Sequence, residues 1–128
     1  MEKLQKREGL LFVSVTLIHN GATQNVDNVI LDTGAAQSII DMNTVESMDI
    51  AAEREDSFVF LTGLGGQEPA LRKRIDCIQF DTYEVRNEEM DFAFLDAHPG
   101  INGLLGLDIL IPGHFVIDLS AMEIYQKK

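Results

Sequence analysis

The sequence predicts an all-β fold, a barrel or sandwich of short strands with one or two short helices. Three features carry that expectation. Apolar and polar residues alternate in stretches such as Val13-Ser14-Val15-Thr16-Leu17, the period of a half-buried strand. Turn-forming pairs, Asn20-Gly21 and Pro112-Gly113 among them, punctuate those stretches. No long amphipathic helical pattern occurs. The 128 residues fit a single domain, 1–128, with one sizeable core.

Read in order, Gly9 to Ile18 is a strand, His19-Asn20-Gly21 a turn, and Gln24 to Leu31 the returning strand of a hairpin. Asp32 to Ala36 is a loop of small residues and Gln37 to Asp41 a short strand. Asn43 followed by Glu46 resembles a capping box, so Thr44 to Met48 is expected as a short helix. Ser57 to Thr62 reads as a strand with Phe58, Phe60 and Thr62 on one face, and Ala70 to Phe80 as its return, joined by a glycine-rich tip at Gly63-Leu64-Gly65-Gly66. Thr82 to Val85 either extends that strand or starts the next, Arg86 to Glu89 reads as a turn, and Met90 to Leu95 runs back. Leu107 to Ile111 is a helical turn stopped by Pro112-Gly113. Phe115 to Leu119 and Met122 to Tyr125 form a closing hairpin about Ser120-Ala121.

Composition narrows the function. A hydrophobic content of 45% excludes a disordered chain. A formal net charge of −11 argues against nucleic acid, whose phosphates need a cationic surface, and favours neutral or basic peptides as partners. The single cysteine, Cys77, allows no intrachain disulfide and fits a reducing, cytoplasmic compartment. The start, with Lys3, Lys6 and Arg7 ahead of Leu10 to Ile18, has the outline of a secretory leader. The strand alternation through Ser14 and Thr16 is the better reading, and the apolar run is too short to span a bilayer. His19, His98 and His114 fall at loop ends, and no His/Cys/Asp spacing resembles a metal site; no metal or other cofactor is expected.

The chemistry concentrates at Ile30-Leu31-Asp32-Thr33-Gly34-Ala35-Ala36. A carboxylate directly behind aliphatic residues sits near the core, where an unpaired charge is costly. It is then either a hydrogen-bonded turn cap or a group put to use. No Lys or Arg lies between Glu8 and Glu53 to hold Asp32 ionised. Downstream, Leu104-Leu105-Gly106 followed by Leu107-Asp108-Ile109-Leu110 provides a second apolar-glycine element.

In this pattern the chain resembles the retropepsin-type aspartic proteases, the single-domain form of the pepsin-like fold. The resemblance covers nearly the whole chain in the expected order: an Asp-Thr-Gly-Ala loop, a β-hairpin flap over Phe58 to Ile78, and the apolar-glycine segment. It implies a barrel with a flap and an endopeptidase acting on peptide or protein substrates. Asp32, Thr33 and Gly34 would be the catalytic loop. Gly34, Ala35, Ala36, Gly63, Leu64, Gly65 and Gly66 would face the substrate, and Leu104, Leu105 and Gly106 would support the loop. Two carboxylates at about 3 Å share one proton because both cannot ionise that close. The ionised member activates water and the protonated one polarises the carbonyl. One chain supplies one such aspartate. Ile117-Asp118-Leu119-Ser120 lacks the glycine and reads as a hairpin turn, and Asp108 reads as a local cap. The resemblance therefore implies a homodimer, with Thr33 bracing the two loops across its axis.

Two departures mark a cellular or bacterial branch. Retroviral members carry an acid two residues after the loop glycine and an arginine after the second-motif glycine; here Ala36 and Leu107 stand there. The tail from Phe115 to Tyr125 is also longer than a minimal retroviral one, so the dimer contacts are expected to differ. A phosphate-binding reading of Gly63 to Gly66 fails, since no lysine follows at P-loop spacing. The alternative to an enzyme is a catalytically weak protease-like module that binds an extended peptide in the flap cleft.

Overall fold

The structure is a computed structural model that describes residues 1–63 and 66–128, with side chains outside 62–67. Leu64 and Gly65, at the expected flap tip, lie outside the described residues.

Alternation sets the first hairpin. β3 (Leu10–His19) turns Val13, Val15 and Leu17 inward, and β4 (Ala22–Leu31) returns against it through the Asn20-Gly21 turn. β5 (Ile39–Asp41) begins two residues later than expected. The following Met42–Met48 segment is a 3-10 helix capped by Asp41, whose Oδ1 accepts from the Asn43 N–H at 3.2 Å. The Asn43–Glu46 capping box is not formed, because Asp41 already takes that role. Asp41 also accepts from the Leu95 N–H, 54 positions on in the chain.

β6 (Ser57–Gly63) and β7 (Gly66–Phe80) pair from Ser57 opposite Arg72 to Gly63 opposite Gly66, forming the expected hairpin. Phe58 and Phe60 face outward, while Val59 and Leu61 pack against Ala70, Ala93, Leu95 and Ile39. β8 (Tyr83–Ala93) departs from the expectation of a turn at Arg86 to Glu89. The chain reverses at Asp81-Thr82, and β8 runs unbroken along β7, with Cys77 opposite Arg86 and Arg74 opposite Glu89. Asn87 takes φ 55° within it, so the local turn preference survives as an irregularity while cross-strand pairing carries the strand onward.

β9 (Gly103–Leu105), α1 (Leu107–Leu110), β10 (Phe115–Asp118) and β11 (Glu123–Gln126) complete the order. Two short strands unanticipated from sequence, β1 (Glu2–Lys3) and β2 (Gln5–Arg7), pair with β11 and β3. The larger sheet has the order β2-β3-β4-β9-β5-β8-β7-β6, and β7 also pairs with β3. The strands β3, β4, β9, β5, β8 and β7 thus close a barrel around one core that includes Leu17, Val29, Ile40, Phe80, Phe92 and Ile109. This is the expected all-β barrel with a flap-like hairpin and two short helices. No helix among the described residues is long and apolar enough to cross a membrane.

Buried charges are paired. Asp91, fully buried, receives Arg72 Nε at 2.8 Å and a second guanidinium nitrogen at 3.0 Å, a bidentate geometry. Lys73, 3% exposed, reaches Asp56 at 2.8 Å and Glu53 at 2.9 Å. Burial pushes the Asp56 carboxyl up, but hydrogen bonds from Lys73 and the Glu53 N–H outweigh it and hold the group below its ordinary range. His19 is not the bland loop-end residue expected: it is buried, and its Nδ1 accepts from the Asp76 N–H.

Lys73→Met should lower stability by about 3 kcal/mol at neutral pH, since it strands a buried carboxylate. A urea midpoint measures this. A carboxyl with a lowered folded pKa stabilises above its unfolded value and loses that contribution as pH falls. The gap between wild type and variant therefore narrows below about pH 4. Equal midpoints at pH 7 would contradict the pairing.

Candidate active site

Asp32 follows β4 directly, where Val29, Ile30 and Leu31 are buried and fix the strand end. The side chain is half-buried. Its Oδ1 accepts from the Gly34 N–H at 2.9 Å, and its carbonyl accepts from Ala35 N–H at 3.2 Å. The carboxylate caps a tight turn and remains half-exposed. Thr33, Gly34 and Ala36 are exposed and Ala35 half-buried.

The loop is fixed from below by β9. Leu31 pairs in parallel with Leu105, and the Asp32 N–H donates to the Leu105 carbonyl at 2.9 Å. One step on, the Leu107 N–H donates to the Ala35 carbonyl at 2.8 Å. The backbones approach so closely that a Cβ at Gly106 would lie 2.5 Å from the Ala35 carbonyl oxygen, and one at Gly103 2.4 Å from that of Ile39. Leu105 and Leu107 thus bond directly to the backbone of Asp32 and Ala35, while Leu104 pairs with Ile30. Leu105 is fully buried and Leu104 half-buried.

Ser38 is the residue that sequence reasoning missed. It is wholly buried. Its hydroxyl donates to Asp108 Oδ1 at 2.6 Å, its N–H donates to the same oxygen at 3.0 Å, and its Oγ accepts from the Gly106 N–H at 2.9 Å. Asp108 is therefore not the local cap expected: its partner lies 70 positions away and carries no motif. The Asp108 Oδ2 is buried without a partner among the described residues. Arg72 is the cation acting on this corner: its guanidinium is held above its ordinary range by the hydrogen bond to Asp91, then against the cost of burial by the charges of Asp91, Glu89 and Asp108. A positive charge is thus brought near the loop's support by the fold, although none is near in sequence.

The other sequence candidates separate from this cluster. Asp118 Oδ1 accepts from the Ala121 N–H at 2.9 Å and caps the final turn. Gly63 and Gly66 pair across the hairpin end; Leu64 and Gly65 between them lie outside the described residues. Among the described residues no group of three or more His, Cys, Asp and Glu is placed to hold a metal.

A family model described as aspartyl protease matches residues 13–109, which include the Asp32 loop, the hairpin and β9. Among solved structures, a retropepsin-like aspartic protease from Rickettsia conorii aligns with TM-score 0.61 at 15% identity, covering 91% of this chain and 82% of that one. The EIAV protease, in complex with the inhibitor HBY-793, aligns with TM-score 0.59 at 20% identity, covering 84% of this chain and 91% of that one. At these identities the likeness speaks for the fold. No curated protein sequence matches the chain.

Ser38→Ala removes one donor and one acceptor at a buried junction and leaves the Gly106 N–H without its partner. The expected loss is about 2 kcal/mol in unfolding free energy, read from chemical denaturation. A loss below about 0.5 kcal/mol would mean the junction does not hold the loop.

Proposed function

The chain belongs to the aspartyl protease family, and we propose that it is an aspartic endopeptidase whose active site joins Asp32 of two copies. The observation that supports this most is the Asp32 loop itself: a carboxylate presented at the end of a buried strand, locked by the Gly34, Leu105 and Ala35 hydrogen bonds. Each chain carries a single loop of this kind, so a pair of carboxylates requires a second chain on a two-fold axis.

In this reading the ionised Asp32 takes a proton from water as the oxygen attacks the scissile carbonyl carbon. The protonated Asp32 of the other copy gives its proton to the carbonyl oxygen, forming a tetrahedral diol. The diol then collapses: the amine leaves with a proton from one carboxyl, and the hydroxyl proton returns to the other. The rigid loop keeps both acids in place, so little reorganisation accompanies the charge movement. Thr33 braces the two loops, Gly34 to Ala36 lie along the substrate backbone, and the Gly63 to Gly66 end of the hairpin closes over it. The extended substrate is held chiefly by main-chain hydrogen bonds. Residues 1–128 act as one retropepsin-like domain, for β1 near one end of the chain pairs with β11 near the other.

Asp32→Asn should abolish peptide hydrolysis while leaving unfolding and self-association unchanged. Digestion of an unbiased peptide library, with solution mass recorded in parallel, measures both. Undiminished cleavage by the variant would reject the assignment, and a wild-type protein that binds peptides without cutting them at any pH would make the chain a peptide-binding module instead.

A further inference from the structure

The smaller sheet has the order β1-β11-β10. Both edges of β11 are therefore taken by its own chain, and the outer edge of β10 pairs with no strand among the described residues. The register shows what that edge presents. The Lys127 N–H donates to the His114 carbonyl at 2.8 Å, just before Phe115 pairs with Gln126. Hydrogen-bonded and non-bonded positions alternate along an antiparallel pair. Val116 and Asp118 thus bond to β11, and Phe115 and Ile117 direct their N–H and C=O groups away from it.

An exposed edge is normally guarded by charge. β2, at one edge of the larger sheet, carries Lys6 and Arg7. β10 reads Phe-Val-Ile-Asp, without a cation, and its aspartate is turned back to cap Ala121. Beyond its two ends Ile111 and Leu119 stand 65% and 64% exposed. On a chain of net charge −11, two copies can meet closely only along an uncharged seam. This seam is also rigidly coupled to the catalytic loop. The Leu107 N–H holds Ala35, the Ile111 N–H holds Leu107, and the His114 N–H holds Ile111, which leads into β10.

We infer that β10 pairs antiparallel with β10 of a second copy. Phe115 then bonds Ile117 of the partner and the reverse, with the two-fold axis at Val116. The result is a continuous sheet across both chains in which each β11 stays between its own β10 and β1, so the terminal strands do not exchange. This rests on the two-copy reading of the active site and adds where the copies join.

Residue-resolved amide exchange across a protein dilution series tests it, beside a Leu119→Asp variant, which adds a like charge to each copy at the seam. The Phe115 and Ile117 amides should exchange at least about tenfold more slowly in the dimer than on dilution, while Val116 and Asp118 change little. Leu119→Asp should weaken association about tenfold or more, with unaltered amide protection in the barrel. A dimer in which the Phe115 and Ile117 amides exchange at concentration-independent rates overturns the inference and leaves the two-copy active site standing. A chain that cleaves peptides as a monomer overturns both.

Discussion

The candidate site depends on the threading of a three-residue strand. β9 runs parallel to β4 and antiparallel to β5, and it brings Leu105 and Leu107 to the backbone of Asp32 and Ala35. Such threading needs backbones closer than side chains allow, and that requirement falls on Gly103 and Gly106, where a Cβ would strike a carbonyl oxygen. The short sequence Gly-Leu-Leu-Gly is thus a steric specification. Leu105 enters the core while the glycines let the strand pass.

Electrostatics follows the same economy. The chain is acidic, yet its buried carboxylates are each held by a specific donor: Asp91 by Arg72, Asp56 by Lys73, Asp41 by backbone amides, and Asp108 by Ser38. Asp32 differs from all of these. Among the described residues its side chain accepts only from the Gly34 N–H of its own turn, and it remains half-exposed at a loop of small residues. A carboxylate placed in this way is available to a second carboxylate and to a water molecule, whereas the paired acids are already committed to holding the fold.

Much of this was legible in the sequence because its signals are local. The alternation through Val13 to Leu17, the Asn20-Gly21 turn, the Asp-Thr-Gly loop and the apolar-glycine segment each announce themselves within a few residues. What escaped is set by distant partners. β1 and β2 are polar and short, and become strands because β11 and β3 offer them edges. β8 passes through Arg86-Asn87-Glu88-Glu89, a turn by composition, because β7 pairs with it on both sides of Asn87. Ser38 lay unremarked within the short strand expected from Gln37 to Asp41. Its role exists only once Asp108 is folded against it. The capping box at Asn43 was a correct type of signal given to the wrong residue, since Asp41 lies nearer the helix start.

In the proposed enzyme two copies build one site. Titration of the active site with a peptide mimic bearing a tetrahedral hydroxyl group in place of the scissile carbonyl tests it most directly. Saturation is expected at one inhibitor molecule per two chains, with none bound by Asp32→Asn at the same concentrations. Saturation at one inhibitor per chain would contradict it.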